Sequence, residues 1–281
     1  MASRVAAVAA AAHPHISVVD TFTDSAYARS SVKLVGQPEP LLCAASAAAA
    51  EALALVDLES EPHPAPHPRQ GAVDMISFMP LSESRAGAIR AQMDACDHLA
   101  WKLGSELGEL GCPVLMYGPR AGRSLLETRR GTSFFASCRA SSPPEVSTSL
   151  ALDFGSAAHE HGIPQRHGIS IIGVQPYVTN FNIQVEAASL EECKSAASAL
   201  RSEMGVQVMA LPHEEGCIEI GCNLQASSDR DSPPRQEVLD LVSRRLPAAA
   251  RVRHTYVIGL TPHEALTKAE AMLQKMSGVE E

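Results

Sequence analysis

The sequence predicts an α/β protein of the α+β kind, made of two ferredoxin-like α/β sandwich subdomains with a ligand groove between them. Three observations lead there. From Val178 onward the strand and helix patterns run β-α-β-β-α-β, then α, which is the ferredoxin-like order with one closing helix. The first half runs α-β-β-α-β-α-β, a similar order without its opening strand. The length of 281 residues suits two units of ordinary size, with expected boundaries at 1–176 and 177–281. A groove between two such units is a favoured place for a ligand.

Ala2–Ala12 is helical by propensity, and Pro14 ends it. Ile16–Asp20 and Arg29–Gly36 alternate as strands around a polar turn, Thr21–Ala28. Pro38 and Pro40 open a long Ala-rich helix, roughly Leu41–Leu58, as proline does at a first helical turn. In Glu61–Arg69 the alternating Pro62, Pro64, Pro66 and Pro68 forbid helix and hold the backbone extended. Ala72–Pro80 is a strand, Ser84–Leu110 an amphipathic helix, Pro113–Tyr117 a strand and Leu125–Arg130 a short helix. Ser141–Thr148 and Asp153–Gly168 are loops.

In the second half, strands are expected at Ile169–Val174 and Val178–Val185, followed by a helix at Leu190–Glu203. Val206–Leu211 and Cys217–Leu224 form a hairpin around His213–Gly216. A helix at Gln236–Leu246, a strand at Val252–Gly259 and a helix at Pro262–Met276 close the chain.

Composition removes several function classes. The chain is 45% hydrophobic, so wholesale disorder is excluded. No apolar run reaches the ~20 residues a membrane span needs. A net charge of −9 argues against nucleic acid as a partner, because phosphate binding needs excess Lys and Arg. Seven scattered Cys do not form a secreted disulfide framework and read as small buried or half-buried residues.

His67-Pro68-Arg69 sits at the mouth of a strand. There a His would be a general base beside an anion site. The alternative is a surface His in a Pro-rich loop. His63 and His67 lack the helix that would make them a metal pair, and His159-x-His161 has no third ligand nearby, so no metal is expected. Asp153–Gly168, with Gly155, Arg166, His167 and Gly168, either cradles an anionic ligand through backbone N–H groups or is a solvated loop. Asn180 and Asn182 share one face of a strand and make a polar groove wall, or an edge facing water. Asn223 allows the same two readings. Arg120, Arg123, Arg129, Arg130, Arg139 and Arg166 make a positive funnel if they gather at one mouth, and ordinary surface charge if they disperse.

Val18–Gly36, His67–Leu81, Pro113–Gly118, Asp153–Gly155, Asn180–Ile183, Gly216–Leu224 and Tyr256–Pro262, taken in order, carry a resemblance to a known family. The stretch H-P-R-x-G-x-x-D from His67 to Asp74 is the most specific. The chain resembles the formiminotransferase family, folate-dependent enzymes that move a formimino group between glutamate and tetrahydrofolate. It looks closest to the short plant-type members without a cyclodeaminase domain. The resemblance implies two α/β subdomains with a folate tunnel between them, His67 as the catalytic histidine, and Asp153–Gly168 as the folate-contacting stretch. It further implies tetrahydrofolate as co-substrate, Arg29 or Arg69 on a substrate carboxylate, an amino-acid-derived substrate, and a homodimer. The corresponding function is transfer of a formimino or formyl group in one-carbon metabolism and histidine catabolism, with His67 as general base and acid. The alternative is a non-catalytic folate-binding or structural protein that keeps the fold.

The chain departs from the family in three places. The family opens with a strand and a loop of the N-F-S-E-G-R type, S-E-x-R-N in plant-type members, whereas this chain begins inside the following helix, so the strand and loop are expected to be missing. Asp20-Thr21-Phe22 and Ala26-Tyr27-Ala28-Arg29 stand where the animal and bacterial members carry D-V-D and S-T-N-R, a change the plant-type members share. Gln165–Gly168 replaces a W-G step. The expected compartment is the cytoplasm, with an organelle as the alternative because the Ala-rich Met1–Ala12 holds one Ser, one Arg and no acid.

Overall fold

A computed structural model describes residues 1–61, 63, 65–81, 89–137, 145–155, 162–226 and 231–276. Helix α1 (Ala2–Ala12) leads into an antiparallel hairpin of β1 (Ile16–Asp24) and β2 (Arg29–Gly36). The pairing runs out to Asp24 and Arg29, four residues beyond the strand end read from sequence. Thr21 and Thr23 are exposed between half-buried Phe22 and buried Asp24, so the polar residues continue the alternation of a strand instead of forming a turn. The reversal needs only Ser25–Ala28, with Ala28 at φ +49. Helix α2 (Pro38–Leu55) starts at its prolines.

The first main sheet holds β3 (Met75–Phe78), β4 (Val114–Tyr117) and β5 (Ser170–Val174) in the order β3-β5-β4, all parallel. Helix α3 (Ile89–Glu109) connects β3 to β4. Its Leu99, Leu103 and Leu107 pack with Leu42 and Leu53 of α2 on one sheet face. The other face is covered by Leu125 of α4 (Leu125–Arg130), with Leu150, Leu152 and Ile163. Burial on both faces explains why β4 and β5 read as unbroken apolar runs rather than alternating ones. A capping box between Ser124 and Glu127 starts α4, and α5 (Phe134–Ser137) follows it.

The second main sheet contains β6 (Thr179–Glu186), β7 (Gln207–Pro212), β8 (Ile218–Leu224) and β9 (Arg251–Ile258) in the antiparallel order β7-β8-β6-β9. Helices α6 (Leu190–Met204) and α7 (Arg235–Arg245) lie on one face, and α8 (Pro262–Met276) closes the chain against β1 and β2. This is the expected ferredoxin-like unit. Phe181, Ile183, Ile220, Cys222, Val208 and Ala210 point to the helices. The alternate positions leave Asn180, Asn182, Gln184, Glu219, Asn223 and Gln207 on the opposite, polar face.

The α/β class holds, but the first half differs from a ferredoxin-like sheet. Its strands fall into two sheets, because β1 and β2 pair only with each other and stand apart from β3 among the described residues. The space between β2 and β3 is part of a cavity, and α1 and α2 cover the hairpin's apolar face through Ala9, Ile16 and Ala44. The Cys expectation is corrected at Cys43, which is exposed. Cys96, Cys112, Cys193, Cys217 and Cys222 are buried or half-buried free thiols, and Cys138 lies outside the described residues.

One contact fixes the entry to β3 and β5. Gly71 and Gly168 form an isolated bridge. Gly168 sits at φ +65, and a Cβ there would run into the Gln70 carbonyl. Gly168→Ala is therefore expected to cost about 1–3 kcal/mol from backbone conformation alone. A urea midpoint shift checks this, and an unchanged midpoint would show that the strands part easily.

Candidate functional site

A cavity of about 1800 Å³ lies between the hairpin, β3 and the polar face of the second sheet. Its wall includes Arg29, His67, Arg69, Asp74, Arg129 and Asn182. Two polar groups meet on it, joined by Tyr27.

The first group is centred on His67. The extended His67-Pro68 segment is held by His63, whose Nε2 lies 2.6 Å from the His67 carbonyl oxygen. The hairpin turn places Arg29 opposite. Its Nη1 donates to His67 Nδ1 at 2.8 Å and to the Pro68 carbonyl at 3.0 Å, while Nη2 donates to Asp74 Oδ2 at 2.8 Å. His67 Nδ1 also lies 2.9 Å from the Pro68 carbonyl oxygen, so it accepts from Arg29 when the ring proton is on Nε2 and donates to Pro68 when the proton is on Nδ1. Asp74 Oδ1 accepts the backbone N–H groups of Gln70 at 2.8 Å and Gly71 at 3.3 Å. The result is a chain from carboxylate to guanidinium to imidazole. The His67 ring is flanked by Tyr27 at 5.3 Å and Phe134 at 6.4 Å between centroids.

The charges follow from this packing. Burial, then the Arg29 charge, pushes His67 down to about 3. Burial opposes the charge on Asp74, but Arg29, Arg129 and the Gln70 amide outweigh it, so its carboxyl is held below the usual range. Arg129 stands over the Phe134 ring, 4.5 Å from the centroid, and among the described residues its Nη2 donates to the Met75 sulfur at 3.4 Å. Its Nε is buried without a partner. An under-satisfied guanidinium in a cavity wall is suited to a carboxylate or phosphate from a ligand.

A stability consequence follows for His67. Its folded pKa lies below the unfolded value near 6.5. Below about pH 6.5 the unfolded chain takes up a proton there that the folded chain refuses until about pH 3, so stability falls as pH falls through that window. Thermal midpoints of the wild type are expected to drop more steeply from pH 7 to pH 4.5 than those of His67→Asn; parallel curves would show that His67 carries no such shift.

The second group joins the hairpin turn to the second sheet. Asp24 Oδ1 accepts the Tyr27 N–H at 3.0 Å, and Asp24 Oδ2 lies 3.5 Å from His213 Nε2. That nitrogen lies 3.8 Å from Glu219 Oε2. Glu219 is almost fully buried and accepts from Asn182 Nδ2 at 2.9 Å and the Tyr256 hydroxyl at 2.5 Å. Burial, then Glu219, pushes both the Tyr27 and Tyr256 phenols up, so both stay neutral donors. The Tyr27 ring meets His213 edge-on at 5.1 Å.

The residues singled out in the sequence divide into two sets. His67, Arg29, Arg69, Asn180 and Asn182 all line the cavity. Arg69 Nη2 is engaged with the Glu61 carbonyl, and Asn180 Nδ2 donates to Asn223 Oδ1 at 2.8 Å. Gly155, Arg166, His167 and Gly168 lie outside the cavity wall. Gly155 packs against the Cys112 carbonyl. Arg166 is exposed, with Nε 3.6 Å from Asp57 Oδ2. The His167 carbonyl accepts the Ala72 N–H at 2.9 Å. His159 and His161 lie outside the described residues, as does Arg139. The described arginines of the group do not gather: Arg120 stacks on Trp101, Arg123 pairs with Asp153, and among the described ones Arg129 and Arg130 reach the cavity. Sequence reasoning gave no role to Asp74, Tyr27, Asp24, His213 or Glu219. Glu219 left a signal, an acid between Ile218 and Ile220 in an otherwise apolar strand start.

A carboxylate-guanidinium-imidazole chain opening on a cavity is an arrangement able to bind an anion and to move a proton. Residues 2–175 match the family described as the formiminotransferase domain, N-terminal subdomain. The chain belongs to this family, which makes it a transferase and makes formimino transfer its general class of reaction. A glutamate formimidoyltransferase of Thermoplasma acidophilum is 28% identical over 227 residues, covering 76% of this chain and 68% of that protein. A formiminotransferase cyclodeaminase-like protein of Arabidopsis thaliana is 29% identical over 186 residues, covering 63% of this chain and 60% of that protein. No described helix is long and apolar enough to cross a membrane.

Proposed function

We propose that the cavity transfers a formimino group between glutamate and tetrahydrofolate. The family supports the reaction class, and the His67-Arg29-Asp74 chain on the cavity wall is the observation that carries the site. The N5 amine of tetrahydrofolate attacks the amidine carbon of formiminoglutamate. The nitrogen loses a proton, the bond from that carbon to the glutamate nitrogen breaks, and the glutamate nitrogen gains a proton. His67 takes the first proton and returns the second.

In the free protein His67 is a weak base, because Arg29 occupies Nδ1 and depresses its affinity for a proton. A substrate carboxylate drawing Arg29 away would free Nδ1 and raise that affinity together. Arg129, with its unpartnered Nε, and Arg69 are the other carboxylate holders. Asn180 and Asn182 make the polar surface of the opposite wall. Arg129→Met is expected to raise the KM for formiminoglutamate about 10-fold or more with kcat less affected, as loss of a charge-assisted contact does. An unchanged KM would remove Arg129 from the substrate site.

The depressed His67 favours a second reading, a folate binder without turnover. Calorimetric titration with 5-formyltetrahydrofolate, a stable stand-in for the folate product, tests what the readings share. Saturable binding supports both, and absence of heat with folded protein removes both. Turnover then separates them.

A further inference from the structure

We propose that Asp24, His213 and Glu219 bind a divalent transition-metal ion of the zinc type, clasping the hairpin turn to the second sheet. The sequence gives no hint of this, because the three residues are 189 and 6 positions apart with no ligand spacing, and only the fold joins them.

Geometry is the first argument. One atom from each residue lies within 4.8 Å of the others. His213 Nε2 stands 3.5 Å from Asp24 Oδ2 and 3.8 Å from Glu219 Oε2. Bonds of about 2.0–2.1 Å in a tetrahedral site set neighbouring ligand atoms roughly 3.3 Å apart. Small side-chain shifts therefore bring three ligands onto one ion. One imidazole and two carboxylates are a borderline set that suits zinc, cobalt or manganese.

Charge is the second. Two buried carboxylates share this corner, and among the described residues neither is paired with a Lys or Arg. The groups donating to Glu219 are neutral: Tyr27, Asn182, Gln184 and Tyr256. Buried anions call for a cation. An ion supplies two positive charges where His213 alone supplies at most one.

Support for the ligands is the third. Tyr256 and Asn182 already fix the Glu219 carboxylate, as partners of ligating carboxylates do. Asp24 and Glu219 also line the cavity, which leaves a fourth position for water. The site shares a wall with the proposed reaction site but does not depend on that reading.

The full-length protein, stripped with a chelator, is titrated with Zn²⁺ by calorimetry and with Co²⁺ by absorption. The expected result is one saturable site, raised thermal midpoint, and a Co²⁺ spectrum with ligand-field bands but no intense near-ultraviolet thiolate band. Loss of a supporting residue alone costs about 10–100-fold in metal affinity, so His213→Ala and Asp24→Asn should each lose more than about 100-fold. Cys43→Ser should lose nothing. Absence of saturable binding to folded wild type overturns the proposal. So does an intense thiolate band, which needs no variant to be read, or unchanged affinity in both variants.

Discussion

Replacing His67 with Ala is expected to lower formimino transfer by about 10²–10⁴-fold while leaving 5-formyltetrahydrofolate affinity within a few-fold of wild type. The split follows from position. His67 is one group on the wall of a large cavity, so its removal takes away proton transfer and little binding surface. It also removes the Nδ1 acceptor of Arg29, but Arg29 keeps the Pro68 carbonyl and Asp74. The site should therefore stay assembled, and steady-state kinetics with calorimetry will separate the two effects. A variant that turns over at the wild-type rate would mean that His67 moves no proton. Equal losses of rate and affinity would make it a binding residue.

Asp74→Ala should be the most damaging change to stability at this site, by about 3–5 kcal/mol. The carboxylate accepts three hydrogen bonds, from Arg29 and the Gln70 and Gly71 amides. Its loss leaves a half-buried Arg29 unpaired beside Arg129, whose own charge then repels it, and orphans two backbone donors. Asp74→Asn keeps an oxygen for the amides and loses only the charge, so it should fall between Ala and wild type. Urea midpoints at pH 7 provide the measurement. A loss below about 1 kcal/mol for Ala would mean that water replaces the carboxylate and that Asp74 does not organise the site.

Strand order in the second half was legible because alternation, helix caps and short loops all agree there. Ile183 and Ile220 point to the helices while Asn182 and Glu219 point away, as a period of two requires. The first half was less legible. Strand order between β3, β4 and β5 depends on which faces are covered, and apolar runs such as Val114–Tyr117 do not encode a neighbour. The continuation of β1 to Asp24 was hidden because Thr21 and Thr23 look like turn residues until their outward face is known.

The candidate site divides in the same way. His67 and Arg29 were found from a local motif and a resemblance. Their contact spans 38 residues, and only the hairpin fold creates it. Asp74 lies seven residues after His67 in the same motif, yet its role appears only once its oxygens meet Arg29 and the loop amides. His213 and Glu219 are ordinary hairpin residues in sequence. They become unusual when Asp24, 189 residues before His213, is brought against them. Gly168 and Gly155 were singled out as possible ligand contacts, but in this fold each marks a place where two backbones touch.

Transfer of a formimino group from glutamate to tetrahydrofolate in this cavity, as proposed, requires both compounds at once. The most direct measurement is glutamate release by the purified full-length protein given N-formiminoglutamate with and without tetrahydrofolate. The account predicts release that requires both compounds and collapses in His67→Ala. Folded protein that binds 5-formyltetrahydrofolate yet releases no glutamate would contradict it and leave the folate-binder reading standing.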